Sequence, residues 1–188
     1  YLKDLKTPLN DIQRLGDVLN KNFGFEVQIL ENASRDMILR ELAGYRKKMD
    51  EQDNLLIYYA GHGYLDEETG VGFWQPSDSE PDIDSAWIPT DRITRTLKGI
   101  KSNNIAVISD SCFAGTMLRG DDQNRVNVND SIAVQRLVEK KTRVALASGG
   151  LEPVPDNLSN GENSIFASQL IFALEESNQV TTATDLFM

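Results

Sequence analysis

Apolar positions along this chain recur with two different periods. Between positions 8 and 23, Leu9, Ile12, Leu15, Val18 and Leu19 fall three or four residues apart, and Gly24 follows as a stop signal, so a helix is predicted. Residues 25–30 (Phe-Glu-Val-Gln-Ile-Leu) alternate instead and predict a strand. Ser34 is placed to cap a second helix running to about Met49, with Met37, Ile38, Leu42 and Tyr45 on its apolar stripe. Three short runs, 55–60, 105–108 and 144–147, are apolar without alternation, as expected of strands covered on both faces. Helical patterns near 90–98, 132–140 and 164–175 complete the series. Strands alternating with helices predict an α/β layered domain with a mostly parallel sheet. Segments 66–88 and 118–130 are rich in breakers and acids and longer than ordinary connections, so both are expected to be functional loops or disordered. The first residue is Tyr1, and 182–188 reads as a helix capped by Thr184 and interrupted after one turn. A single domain over 1–188, trimmed at both ends, is the expectation.

Composition narrows the function. At 188 residues and 40 % hydrophobic, the chain can bury one core. Its 19 Lys and Arg against 29 Asp and Glu give a net charge of −10, which argues against a nucleic-acid surface. No apolar run approaches the roughly 18 residues of a membrane span. One cysteine, Cys112, excludes a disulfide framework, and its lack of a partner fits a reducing, cytoplasmic compartment. There is also one histidine, His62, so a zinc site of several Cys and His ligands cannot come from this chain alone.

Those two residues carry the candidate chemistry. His62 lies in Gly61-His62-Gly63, after the predicted strand ending at Ala60, and Cys112 lies in Asp110-Ser111-Cys112-Phe113-Ala114-Gly115, after the strand ending near Ser109. In a parallel sheet both turns emerge at the carboxyl edge, where open α/β sheets hold their ligands. A thiolate nucleophile and its acid/base partner need that proximity, and glycines beside the histidine leave room for a substrate backbone and free amides for an oxyanion. Taken singly, each residue also reads as ordinary: a lone Cys as a small buried hydrophobe, a lone His as core or surface. Other schemes lack their signatures. There is no Gly-x-Ser-x-Gly elbow and no Gly-x-x-x-x-Gly-Lys-Ser/Thr phosphate loop, and the first arginine after Cys112 is Arg119, too distant for a cysteine-phosphatase loop. Nothing selects a carboxylate pair for glycoside hydrolysis from so many acids. Trp74 and Trp87 fit substrate subsites and buried packing equally well.

Tyr58-Tyr59-Ala60-Gly61-His62-Gly63, followed by the Asp110-Ser111-Cys112 segment, resembles the caspase-like cysteine peptidases of the metacaspase and bacterial group. The His-to-Cys spacing is similar to the separation of about 50 residues in caspases. Residues 5–11 (Leu-Lys-Thr-Pro-Leu-Asn-Asp) and 147–150 (Ala-Ser-Gly-Gly) resemble that group as well. The resemblance implies a three-layer sandwich with a mostly parallel central sheet, whose first strand would precede Tyr1. It implies that Cys112 attacks a peptide carbonyl, that His62 passes a proton to the leaving amine, and that the amides of Gly63 and Cys112 form an oxyanion hole. Asp11 and Asp110 match acids of the first specificity pocket, implying cleavage after Arg or Lys. Two carboxylates in one pocket favour a cation between them, and Arg offers a bidentate fork. Asp11 also reads as a helix N-terminal acid and Asp110 as a turn residue.

The chemistry implied needs no cofactor. Some metacaspases bind calcium, but Asp82, Asp84, Asp121 and Asp122 do not match a clear motif, and solvated acidic loops are the simpler reading. With a basic preference, Arg119 and Arg125 become candidates for self-cleavage. Expected partners are a protein or peptide substrate and regulatory domains or subunits of a longer protein, with no nucleic acid and no membrane; a monomer is favoured. The alternatives are a catalytically silent protein-binding module, or a Cys-His peptidase of the same fold with another first-subsite preference, as in the legumain-like or separase-like groups.

Overall fold

The computed structural model describes residues 2–111, 142–148 and 163–176. Helix α1 (Pro8–Phe23) begins with Pro8, whose fixed φ suits a first turn, and ends at Gly24. Gly24 takes the left-handed conformation (φ 71°) and returns its N–H to the carbonyls of Asn20 and Leu19. The buried positions of α1 are Asp11, Leu15, Val18 and Leu19 with Gly16, so an acid shares the apolar stripe. Helix α2 (Arg35–Lys48) is capped as expected: Ser34 Oγ accepts from the Met37 N–H at 3.3 Å. Arg46, Lys47 and Lys48 in its last turn complement the dipole.

The three unalternating runs become strands β1 (Asn54–Ala60), β5 (Asn104–Asp110) and β6 (Thr142–Ala147), all parallel, in the order β1-β5-β6. Between them come β2 (His62–Asp66), β3 (Val71–Gln75) and β4 (Ile88–Pro89), which form a second, antiparallel sheet in the order β2-β3-β4. Helix α3 (Thr90–Lys98) buries Ile93 and Leu97, and α4 (Ile165–Glu176) buries Ala167, Leu170 and Ile171. Pleating divides the parallel sheet between two cores. Leu55, Ile57 and Tyr59 with Ile105 and Val107 pack against α2 and α3. Leu56, Tyr58 and Ile108 pack against α1 and α4 on the other face. Continuous apolar runs are what a sheet sandwiched between helix pairs demands. The result is the expected α/β three-layer arrangement.

Two expectations fail here. Residues 25–30 form no strand. Their pattern suits one, but a strand exists only through a backbone partner. Among the described residues β1 pairs with β5 alone, and a cavity of about 990 Å³ lies along its other edge, lined by residues 25–30, α1, α2 and β1. Val27 and Ile29 are left 37 % and 40 % exposed. The second correction concerns 66–88, expected to be loop. It contains β3 and the start of β4, because Asp66 closes a tight turn: Oδ1 accepts from the N–H groups of Glu68 and Thr69, and Gly70 (φ 69°) donates to the Asp66 carbonyl. A bond from the Thr69 side chain, and after it the backbone N–H groups of Thr69 and Glu68, hold the Asp66 carboxyl below its usual range. The predicted helix at 132–140, the loop at 118–130 and Thr184 lie outside the described residues.

Candidate active site

The register sets the site. Ala60, the last residue of β1, faces Asp110, the last of β5, and the Gly61 N–H donates to the Asp110 carbonyl at 3.2 Å. One glycine later the chain starts β2 with His62, a strand residue rather than part of a loop. Gly61 is required by close approach. A Cβ there would meet the Tyr59 hydroxyl at 2.8 Å and its ring at 2.9 Å. That ring cannot retreat, being stacked on Trp74 (centroids 4.2 Å apart) with its hydroxyl 2.7 Å from the His62 carbonyl and 3.1 Å from that of Gln75. Burial pushes the Tyr59 phenol far above its ordinary range and keeps it a donor.

His62 Nε2 lies 2.6 Å from the Lys3 carbonyl. A carbonyl only accepts, so Nε2 carries the proton, and in the neutral ring Nδ1 is the basic nitrogen. The main chain before α1 therefore sets the tautomer of the only imidazole. On the neighbouring strand, Trp74 Nε1 donates to Ser109 Oγ at 3.1 Å, and Ser109 Oγ lies 2.9 Å from Ser111 Oγ, all buried. This hydroxyl chain spans the end of β5 and reaches Ser111, one residue before Cys112.

Asp11 and Asp110 meet in one buried network, at 1 % and 8 % exposure. Asp11 Oδ1 accepts from Asn163 Nδ2 (2.8 Å) and from the Ser164 N–H (2.9 Å). Asp110 Oδ2 accepts from Ser164 Oγ (2.6 Å) and the Tyr58 hydroxyl (3.1 Å). Burial is the largest influence on the Asp11 carboxyl and pushes it up; the bonds from Asn163, Ser164 and Thr7 oppose this, and the charge of Asp110 adds to it. Burial first, then both carboxylates, push the Tyr58 phenol well up, so it stays a donor to Asp110. Asp11 is thus more than a dipole-favoured helix acid: it is buried beside a second acid 99 positions along the chain.

Of the residues singled out from sequence, His62, Gly63, Asp11 and Asp110 are described; Cys112, Arg119, Arg125, Asp121 and Asp122 are not. Gly63 lies in β2 opposite Trp74. Asp82 and Asp84 are exposed, and among the described residues no three His, Cys, Asp or Glu side chains gather as metal ligands. Trp74 and Trp87 serve packing: Trp74 is 2 % exposed, and Trp87 Nε1 donates to the Glu80 carbonyl while its ring contacts Tyr64 and Phe73. Sequence reasoning missed the Lys3 carbonyl, Tyr58, Asn163 and Ser164. Only Ser164 carried a signal, as the cap before the apolar run of α4; a backbone carbonyl carries none.

The α/β domain thus carries a buried acid pair at the carboxyl edge of its parallel sheet, with a histidine opening the next strand, and this is the edge where open α/β sheets hold their ligands. The whole chain, residues 1–188, matches the caspase-domain family, peptidase C14, and the protein belongs to that family of cysteine peptidases. Among solved structures it is similar to the crystal structure of GSU0716 from Geobacter sulfurreducens, with a TM-score of 0.67 and 15 % identity over 97 % of this chain and 78 % of that one, a likeness of fold. No curated protein sequence matches. No described helix is long and apolar enough to cross a membrane.

Proposed function

We propose that this domain is an endopeptidase in which Cys112 and His62 form the catalytic dyad and Asp11 and Asp110 select Arg or Lys at the scissile bond. The observation that carries the reading is the pair of buried carboxylates in one network, of which Asp110 stands two residues before Cys112 and beside the strand end that leads into His62. Burying two like charges is costly unless something at the site rewards it, and a cationic side chain does so, Arg through two parallel N–H···O bonds.

The chemistry follows from the tautomer. With Nε2 donating to Lys3, Nδ1 takes the Cys112 thiol proton, and the sulfur attacks the peptide carbonyl carbon. The amides of Gly63 and Cys112 receive the developing oxyanion. His62 then protonates the leaving amine as the C–N bond breaks, leaving a thioester. Water, deprotonated by His62, attacks that carbon; the C–S bond breaks and the thiol regains its proton. No metal or cofactor enters this scheme. The same preference makes Arg119 and Arg125 sites of self-cleavage, visible as a mass change that Cys112→Ala prevents.

The test is hydrolysis of fluorogenic peptides ending in Arg, Lys, Asn or Asp, with Cys112→Ala as control. Cleavage after Arg and Lys, abolished in the variant, is expected. Cleavage after Asn or Asp overturns the pocket assignment; no cleavage of any peptide by folded protein favours a binding module.

A further inference from the structure

Ser164 touches both acids at once. Its backbone N–H reaches Asp11 and its hydroxyl donates to Asp110, while the same oxygen accepts the Ala167 N–H and so caps α4. An N-cap serine left to itself would give its proton to water; here it is committed to a carboxylate. Asn163 is oriented as firmly. Arg14 Nη1 donates to Asn163 Oδ1 (3.3 Å), which turns the amide nitrogen towards Asp11. Asn163 and Ser164 are 4 % and 7 % exposed, and the Asn163 amide nitrogen and the Ser164 N–H and hydroxyl all donate into the acid pair. The network crosses the fold: Arg14 and Asp11 from α1, Tyr58 from β1, Asp110 from β5 and the two residues entering α4.

We propose that Asn163 and Ser164 are positioning residues for specificity, holding Asp11 and Asp110 as a charged, fixed pair before a basic side chain arrives. This rests on the basic-pocket reading above. The amide, the main-chain N–H and the start of α4 favour the charged form of Asp11 against the burial that pushes its carboxyl up, so an entering guanidinium meets a preorganised acceptor. Arg14 supplies the outer charge that polarises Asn163. Tyr58 closes the Asp110 side as a permanent donor. Asp11, Asp110, Tyr58 and Arg14 are the titratable or charged groups joined to this network among the described residues.

The test compares Asn163→Leu, Ser164→Ala and Ser164→Thr with the unmodified protein on an Arg peptide, over a pH series. Asn163→Leu is expected to raise KM about tenfold, the loss of a bond to a charged group, with kcat changing far less. Its acid limb in kcat/KM is expected to move to higher pH, because Asp11 loses a donor that favours its charged form. Ser164→Thr, which keeps the hydroxyl, is expected to recover most of what Ser164→Ala loses. A merely structural role predicts instead that apparent kcat falls with the folded fraction while KM is unchanged, and that the pH limb stays in place; that result overturns the proposal. Carbon-13 NMR of the Asp11 carboxyl gives a reading independent of activity. An upward move of its titration in Asn163→Leu is expected, and an unmoved titration overturns the clamp even where Arg is cleaved. Failure to cleave after Arg or Lys, with the NMR shift present, removes the pocket reading and leaves the clamp as a property of the acid pair.

Discussion

The carboxyl end of β1 and its flank away from β5, which no described strand pairs, are two neighbouring regions built to opposite standards. At the carboxyl end, polar groups are buried and matched: two acids, a phenol, an amide and a serine all find partners within 3.3 Å. Along the flank, apolar groups stand beside a cavity of about 990 Å³, and Val27 and Ile29 remain part-exposed. Matched burial costs are tolerated where they organise charge, whereas an unpaired strand edge leaves even well-patterned apolar residues unemployed. The lesson is that geometry at this site is held by side-chain bonds between distant elements, not by the extent of the sheet.

The contrast predicts measurable differences. The largest is in the sealed core: Ile93→Ala, at a position with no exposure, is expected to cost about 2–5 kcal/mol by denaturant unfolding. Asp11→Asn comes next and divides function from stability. On an Arg peptide it is expected to lower kcat/KM on the order of 100-fold, through loss of a charged, bidentate contact. Its stability changes the other way. The raised Asp11 carboxyl means that the folded protein holds a proton more tightly than the unfolded chain between the ordinary carboxylate range and the raised value. Stability therefore falls as pH rises through that window, and the loss is complete above it. Asp11→Asn is expected to abolish this slope and to be the more stable protein at neutral pH; urea midpoints across pH check both. Gly61→Ala drives a methyl group into the Tyr59 ring and is expected to cost roughly 1–3 kcal/mol. The smallest effect belongs to the flank: Val27→Ala is expected to change stability by no more than about 0.5 kcal/mol. A large loss there would show the flank to be as tightly held as the carboxyl end, and the comparison would collapse.

Much of the fold was legible because its signals are local. The periodicity of 8–23 and the caps at Ser34 and Gly24 describe helices whose ends coincide with those observed, and three unalternating apolar runs became the three parallel strands. The strand expected at 25–30 failed because pairing is not local: alternation states which face a residue prefers, and says nothing about whether a neighbour is there to bond. The second half of the β2-β3 hairpin, inside 66–88, was obscured by its acidic, glycine-containing turn, which was read as the character of the whole segment.

The site divides along the same line. Sequence by itself determined that one imidazole and one thiol would follow two strands, since the strands are marked by composition and the residues are unique in the chain. It also singled out Asp11 and Asp110 together, through the resemblance to the caspase-like group. Tertiary structure alone decided that these acids are buried together, that Ser164 bridges them, and that the Lys3 carbonyl chooses the tautomer of His62. The physical reason is separation: strand register joins residues about 50 positions apart, and the acid network joins residues about 150 apart, through bonds whose donors carry no mark in the pattern of apolar and polar positions.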